Sequence, residues 1–131
     1  MATEEKRILL LAGLAGASGV IAGSLVAHLH HAAEDAALLD TAVRYHMYHA
    51  LALLGLAALA AQNATAGARS GKWLAVAAWL FVAGIAFFSG GLYIRAGFGH
   101  TPLDAIVPIG GLSFITGWLA LVTGAFQRGE R

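Results

Sequence analysis

The stretch Thr41-Ala-Val-Arg44-Tyr45-His46-Met47-Tyr48-His49-Ala-Leu51 sets an arginine, two tyrosines and two histidines into an otherwise apolar sequence. Two chemistries are open to such a group. A guanidinium offers five fixed donors, so Arg44 with Tyr48 could hold an anionic or carbonyl ligand. Imidazoles on facing helices could ligate a haem or a transition metal, since imidazole suits Zn, Cu, Ni and Fe; His28 with His46 or His49 is the candidate pair. At about 100° per residue, Asp40, Arg44 and Tyr48 share one helical face, continued by Gly55 and Leu59, while Tyr45, His46 and His49 occupy the adjacent one. The expectation is that this face points into a bundle.

Each chemistry has a plainer counterpart. Arg44 could pair with Asp40 one turn earlier, or cap carbonyls freed near Pro108, and so only fix the structure. Because it falls near the expected membrane interface and not deep in a span, that reading comes first. Histidines at an interface are more often satisfied by hydrogen bonds than by metal. If residues 29–40 are helical, His30 lies one turn from Glu34 and His31 one turn from Asp35, which makes a surface metal contact geometrically open; a solvated loop is the preferred reading. No metal site and no cofactor are expected, with His28 and His49 the weak candidates for a metal.

The elements that must position these residues follow from composition. Of 131 residues, 59% are hydrophobic and only 11% charged, and the mean hydropathy is +0.73, outside the range of soluble domains. The sequence predicts a single all-α domain, an integral membrane four-helix bundle with spans over about 8–28, 41–61, 73–94 and 102–126. There is no cysteine, which excludes disulfides, thiolate nucleophiles and iron–sulfur ligation. The net charge of +1 gives no reason to expect nucleic acid.

Along the chain, the polar MATEEKR start is followed by an apolar run longer than a signal-peptide core, so an uncleaved span is expected. Gly16, Gly19, Gly23 and Ala27 form a small-residue stripe on which a neighbouring helix can approach. Residues 29–40 read as an interfacial helix or as the first turns of span two. Residues 62–71, QNATAGARSG, form a connector whose Asn63-Ala-Thr65 pattern is discounted as a glycosylation site by the orientation below. Trp73 and Tyr93 suit the two interfaces, and Ser89-Gly90-Gly91 loosens the outer half of span three. Thr101-Pro102-Leu103-Asp104 carries the marks of a helix start. Pro108, followed by Gly110 and Gly111, predicts a kink in span four.

Lys6, Arg7, Arg69, Lys72, Arg128 and Arg131 fall on one side of such a bundle and only Arg44 and Arg95 on the other. Both termini are therefore expected to be cytoplasmic. All six histidines then lie at the outer mouth with Glu34, Asp35, Asp40 and Asp104. No span carries a carboxylate at its centre, which argues against proton-coupled transport, and no acid, base or nucleophile constellation for an enzyme is visible.

The Gly-rich first span ending at Ala27-His28, the Thr41–Leu51 stretch, Ser89-Gly90-Gly91-Leu92-Tyr93 and Ile106-Val-Pro108-Ile-Gly110-Gly111-Leu-Ser113-Phe-Ile-Thr-Gly117-Trp118 resemble the family catalogued as domain of unknown function 423, the YgdD-like small membrane proteins with mitochondrial relatives. The family pattern usually has glutamine where this chain has His46, and usually lacks the His30-His31 pair. The resemblance implies a four-helix inner-membrane bundle and no biochemical activity.

The sequence thus points to a non-enzymatic protein of the bacterial inner membrane, in contact with the lipid bilayer and acting as an accessory, assembly or scaffold subunit, either as a homo-oligomer or within a larger membrane complex. Its rival is a channel-like or binding module for a small solute, lipid or metal. In both readings the polar cluster comprises Arg44, Tyr48, His49, His28, Tyr93, Pro108, Gly110 and Gly111, ordering the bundle in the first and binding at the outer mouth in the second.

Overall fold

The computed structural model describes residues 3–28, 33–65 and 71–129. Helix α1 spans Thr3–His28 and α2 spans Ala33–Thr65; α3 (Lys72–Gly84) continues through a π-helical turn at Ile85–Ser89 into α4 (Gly90–Phe98), and α5 spans Val107–Gly129. Four of the resulting rods are long and apolar enough to cross a membrane: Thr3–His28, Glu34–Thr65, Lys72–Phe98 and Pro102–Phe126. The four-helix, all-α architecture expected from the sequence is the one observed.

Leu, Ala and Phe side chains make the core where α2, α3 and α5 meet. Leu53, Leu56 and Ala60 of α2, Ala77 and Phe81 of α3, and Phe114 of α5 are all buried. Helix α1 packs along α2, and α5 along α3, so α2 and the α3–α4 rod form the centre. The glycine stripe of α1 serves the first pairing: a side chain at Gly19 would run into Met47, and one at Gly23 would sit 3.3 Å from Val43, whereas Gly16 meets none of the described residues.

Residues 33–40, which the sequence left as an interfacial helix or as first turns of the second span, are the first turns of α2. His46 meets Ser18, which lies at the middle of the 8–28 apolar run, and so sits below the interface.

Two irregularities differ from expectation. The break near Pro108 falls a turn earlier, as a 3-10 turn at Pro102–Ile106 started by Thr101, whose Oγ accepts from the Leu103 N–H at 3.2 Å. Pro108 is only the second residue of α5, where a missing N–H costs little, so it does not kink the helix interior. The loosening foreseen at Ser89-Gly90-Gly91 sits just before it, as the π turn. Gly110 packs directly on that turn: a Cβ there would come within 2.8 Å of the Phe87 carbonyl carbon and of Phe88 Cα.

Candidate functional site: a lipid-side groove with a polar floor

The Arg44 face turns the opposite way from the one expected. Arg44 and Asp40 pair on the surface, their side chains 54% and 63% exposed, and Tyr48 is exposed beyond them. The guanidinium therefore neither enters the bundle nor reaches the Pro108 carbonyls. The two histidines of the adjacent face point inward instead and are buried. The physical reason is one of cost: a neutral imidazole can be fully hydrogen-bonded inside, whereas an interior arginine needs a buried counter-charge that no facing helix supplies.

His49 is held on all sides. Its Nδ1 donates to the Tyr45 carbonyl at 2.8 Å, because a carbonyl can only accept, and its Nε2 accepts from Trp118 Nε1–H at 3.2 Å. The ring stacks on Phe114 with centroids 3.5 Å apart and meets Phe81 edge-on at 5.1 Å. With both nitrogens committed in a neutral tautomer, His49 joins α2 to α5 and has no lone pair left for a metal. His28 is exposed at the end of α1 and takes no part in this network. Among the described residues, no group of three or more His, Asp or Glu is placed to hold a metal ion. The His30–Glu34 and His31–Asp35 pairs fall on residues 30 and 31, outside the described segments.

His46 builds a second network, across α1, α2 and α4. Its two nitrogens lie 3.3 Å from Ser18 Oγ and 3.1 Å from the Tyr93 hydroxyl. Ser18 also donates back to the carbonyls of Leu14 at 2.8 Å and Ala15 at 3.1 Å. This trio forms the floor of a groove of about 420 Å³ between α1 and the α3–α4 rod. Ile21, Leu25 and Ile85 line its walls, and Ile21 and Leu25 are more than half exposed, so the groove opens sideways to the membrane. A smaller cavity of about 300 Å³ continues the same seam beside Arg7 and Trp79. Helix α1 thus leans on α2, joins the core beside α3 through Ile8 and Ala12 of its first half, and parts from the α3–α4 rod at the groove.

A third polar group ties α4 to the turn before α5. Arg95 donates to Asp104 Oδ2 at 3.2 Å, and His100 bridges the two, with Nε2 3.1 Å from Arg95 and Nδ1 3.0 Å from the same Asp104 oxygen. Glu34 stands 3.9 Å from Arg95. The sequence placed His100 and Asp104 together at one end, and here they are in contact.

Of the residues singled out from sequence, the structure brings Tyr93 to His46, places Gly110 on the π turn, and leaves Gly111, Arg44, Tyr48 and His28 outside the groove. Ser18 was missed, and His46 was weighed only as a haem or metal ligand beside His28. A usable signal existed: Ser18 lies ten residues before the end of α1 and His46 thirteen after the start of α2, so an antiparallel hairpin brings them nearly level.

Four membrane-length helices in one bundle, with polar side chains satisfied inside it, define a polytopic α-helical membrane protein. The chain belongs to the family described as protein of unknown function (DUF423), whose profile matches residues 22–111. It is 33% identical over 124 residues to the UPF0382 inner membrane protein YgdD of Escherichia coli K12, covering 92% of this chain and 89% of that one. A UPF0382 membrane protein of Haemophilus influenzae is 37% identical over 126 residues, covering 94% and 96%. The UPF0382 membrane protein YwdK of Bacillus subtilis is 44% identical over 87 residues, covering 66% and 67%. No solved structure matches. The chain is a multi-pass protein of the bacterial inner membrane.

Proposed function

We propose that this protein acts by binding, without a catalytic step, and that its binding site is the groove between α1 and the α3–α4 rod, open to the bilayer. One observation carries this reading: a groove of about 420 Å³, within the size range of small-molecule sites, has three hydrogen-bonding side chains at its floor and branched aliphatic walls. Polar groups placed at the base of a lipid-exposed groove suit a ligand that arrives through the membrane. The test is the native mass of the protein released gently from its membranes. A discrete small adduct that disappears in Ala86→Trp, where the new ring fills the groove from an exposed position, supports the reading; an adduct indifferent to that change contradicts it.

A scaffold role is the second reading, supported by Gly13 and Gly16 of α1 and Gly55 of α2, which meet none of the described residues and leave flat faces for another helix. The same mass measurement separates the two, since a scaffold is released with a second polypeptide. The orientation with both termini in the cytoplasm belongs to the proposal as well and rests on the Lys/Arg asymmetry of the connecting segments.

A further inference from the structure

We infer that the groove recognises an uncharged, ring-headed lipid of the quinone and quinol class, and that the Ser18–His46–Tyr93 trio can hydrogen-bond either redox form. The inference rests on the binding reading above and adds the chemistry of the ligand.

Charge comes first. Among the described residues no Lys or Arg lines the groove, while Arg44 and Arg95 are engaged by Asp40 and Asp104. A phosphate headgroup would find no cation there, so the ligand's polar end is neutral. Depth comes second. Ser18 stands ten residues from His28, about 15 Å along the helix axis, and Tyr93 five residues from Phe98, about 8 Å, so the trio lies below the interface within the outer half of the bundle. A phospholipid or glyceride head would have to leave the interface to reach it. A ring carrying only carbonyls or hydroxyls, on an apolar tail, can reside at that depth. The walls of Ile21, Leu25 and Ile85 would cover such a ring and its first tail units, and the open side would let the remaining tail run into lipid.

Hydrogen bonding selects further. Where the Ser18 hydroxyl proton is committed to the Leu14 and Ala15 carbonyls, the Ser18 oxygen accepts from His46 Nε2–H, and bare Nδ1 accepts from the Tyr93 O–H. Tyr93 then shows the groove a lone pair, which a ligand hydroxyl can use. In the other neutral tautomer Ser18 donates to Nε2, Nδ1–H donates to the Tyr93 oxygen, and the Tyr93 O–H is free for a ligand carbonyl. The carbonyls of Leu14 and Ala15 lose nothing essential, since as helix carbonyls they accept from the backbone N–H one turn on. One hydroxyl thus serves as acceptor or donor at the same place, and the pair of ligands that differ in that respect at one oxygen is a quinol and its quinone. No electron transfer is required of the protein.

The test uses the full chain in lipid nanodiscs, titrated with a decyl-substituted benzoquinone and separately with its hydroquinone, bound probe being read as adduct mass and as the rise in unfolding temperature. Both forms should bind with affinities within about threefold of each other, and Tyr93→Phe should weaken each by about tenfold, the loss of one hydrogen bond. Ala86→Trp, which leaves the trio intact, should abolish both. Binding of neither form overturns the assignment, as does binding that survives Tyr93→Phe unchanged in a variant that unfolds at the wild-type temperature. Dioctanoylglycerol bound in place of the quinone, and lost in Ala86→Trp, overturns the ligand class while leaving the groove as a site. Probe binding unchanged in Ala86→Trp overturns both.

Discussion

The His49–Trp118 pair gives a quantitative test of how the bundle is closed. His49→Phe keeps a ring stacked on Phe114 but removes the acceptor for Trp118 Nε1–H. The Tyr45 carbonyl also loses its side-chain donor, at small cost, because it retains its helical N–H partner. An interhelical side-chain hydrogen bond within a membrane contributes about 0.6 kcal/mol on average and up to about 1.7. An indole N–H left without a partner adds a desolvation cost of about 1–3 kcal/mol where no water can reach it. The single variant should therefore lose about 2 kcal/mol, and Trp118→Phe, which strands His49 Nε2 instead, a similar amount. With both partners removed no orphaned polar group remains, so the double variant should be more stable than the summed losses predict, by about 1 kcal/mol. The assay is reversible unfolding in mixed micelles by titration with sodium dodecyl sulfate, followed by circular dichroism, since one tryptophan is lost. Single losses that add to within about 0.3 kcal/mol would refute the pairing.

The other predictions concern backbone, charge and topology. Gly110→Ala should destabilise by about 1–3 kcal/mol, because the methyl meets the Phe87–Phe88 backbone, whereas Pro108→Ala should change stability by less than about 0.5 kcal/mol; both are read in the same unfolding assay. Arg44→Ala should cost less than about 1 kcal/mol, since its ion pair with Asp40 is more than half exposed on both sides, and a larger loss would place the guanidinium in a role the structure denies it. A single cysteine introduced at Ala66 should resist a membrane-impermeant maleimide added from the periplasmic side of intact cells; rapid labelling would reverse the orientation.

Much of the architecture was legible because the membrane reduces the signal to length and polarity. Four apolar runs became four helices, Thr101-Pro102 did begin the turn into the last of them, and Gly19 and Gly23 did mark where α1 lies against α2. The direction in which polar residues face was less legible. A helical wheel groups Asp40, Arg44 and Tyr48 but does not say which side is dry, and the answer depends on what the facing helices offer. Trp118 offered His49 a donor, and Ser18 with Tyr93 offered His46 partners, while nothing inside matched Arg44. The π turn had only a partial local signal, in Ser89-Gly90-Gly91 at its end. It is opposed by Gly110 from another helix, and that contact exists only once α5 is docked on the α3–α4 rod.

The claim on which the functional account depends is that a membrane-borne ligand occupies the groove at the polar trio. The direct measurement replaces Ile21, a groove-wall residue, with a photoreactive benzoyl-phenylalanine, illuminates intact membranes, and weighs the adduct beside that of the same substitution at Leu119, exposed on α5. The account predicts one discrete small-molecule mass at position 21, absent in Ala86→Trp, and a spread of phospholipid masses at position 119. The same phospholipid spread at both positions would show that the groove holds only bulk lipid and would contradict it.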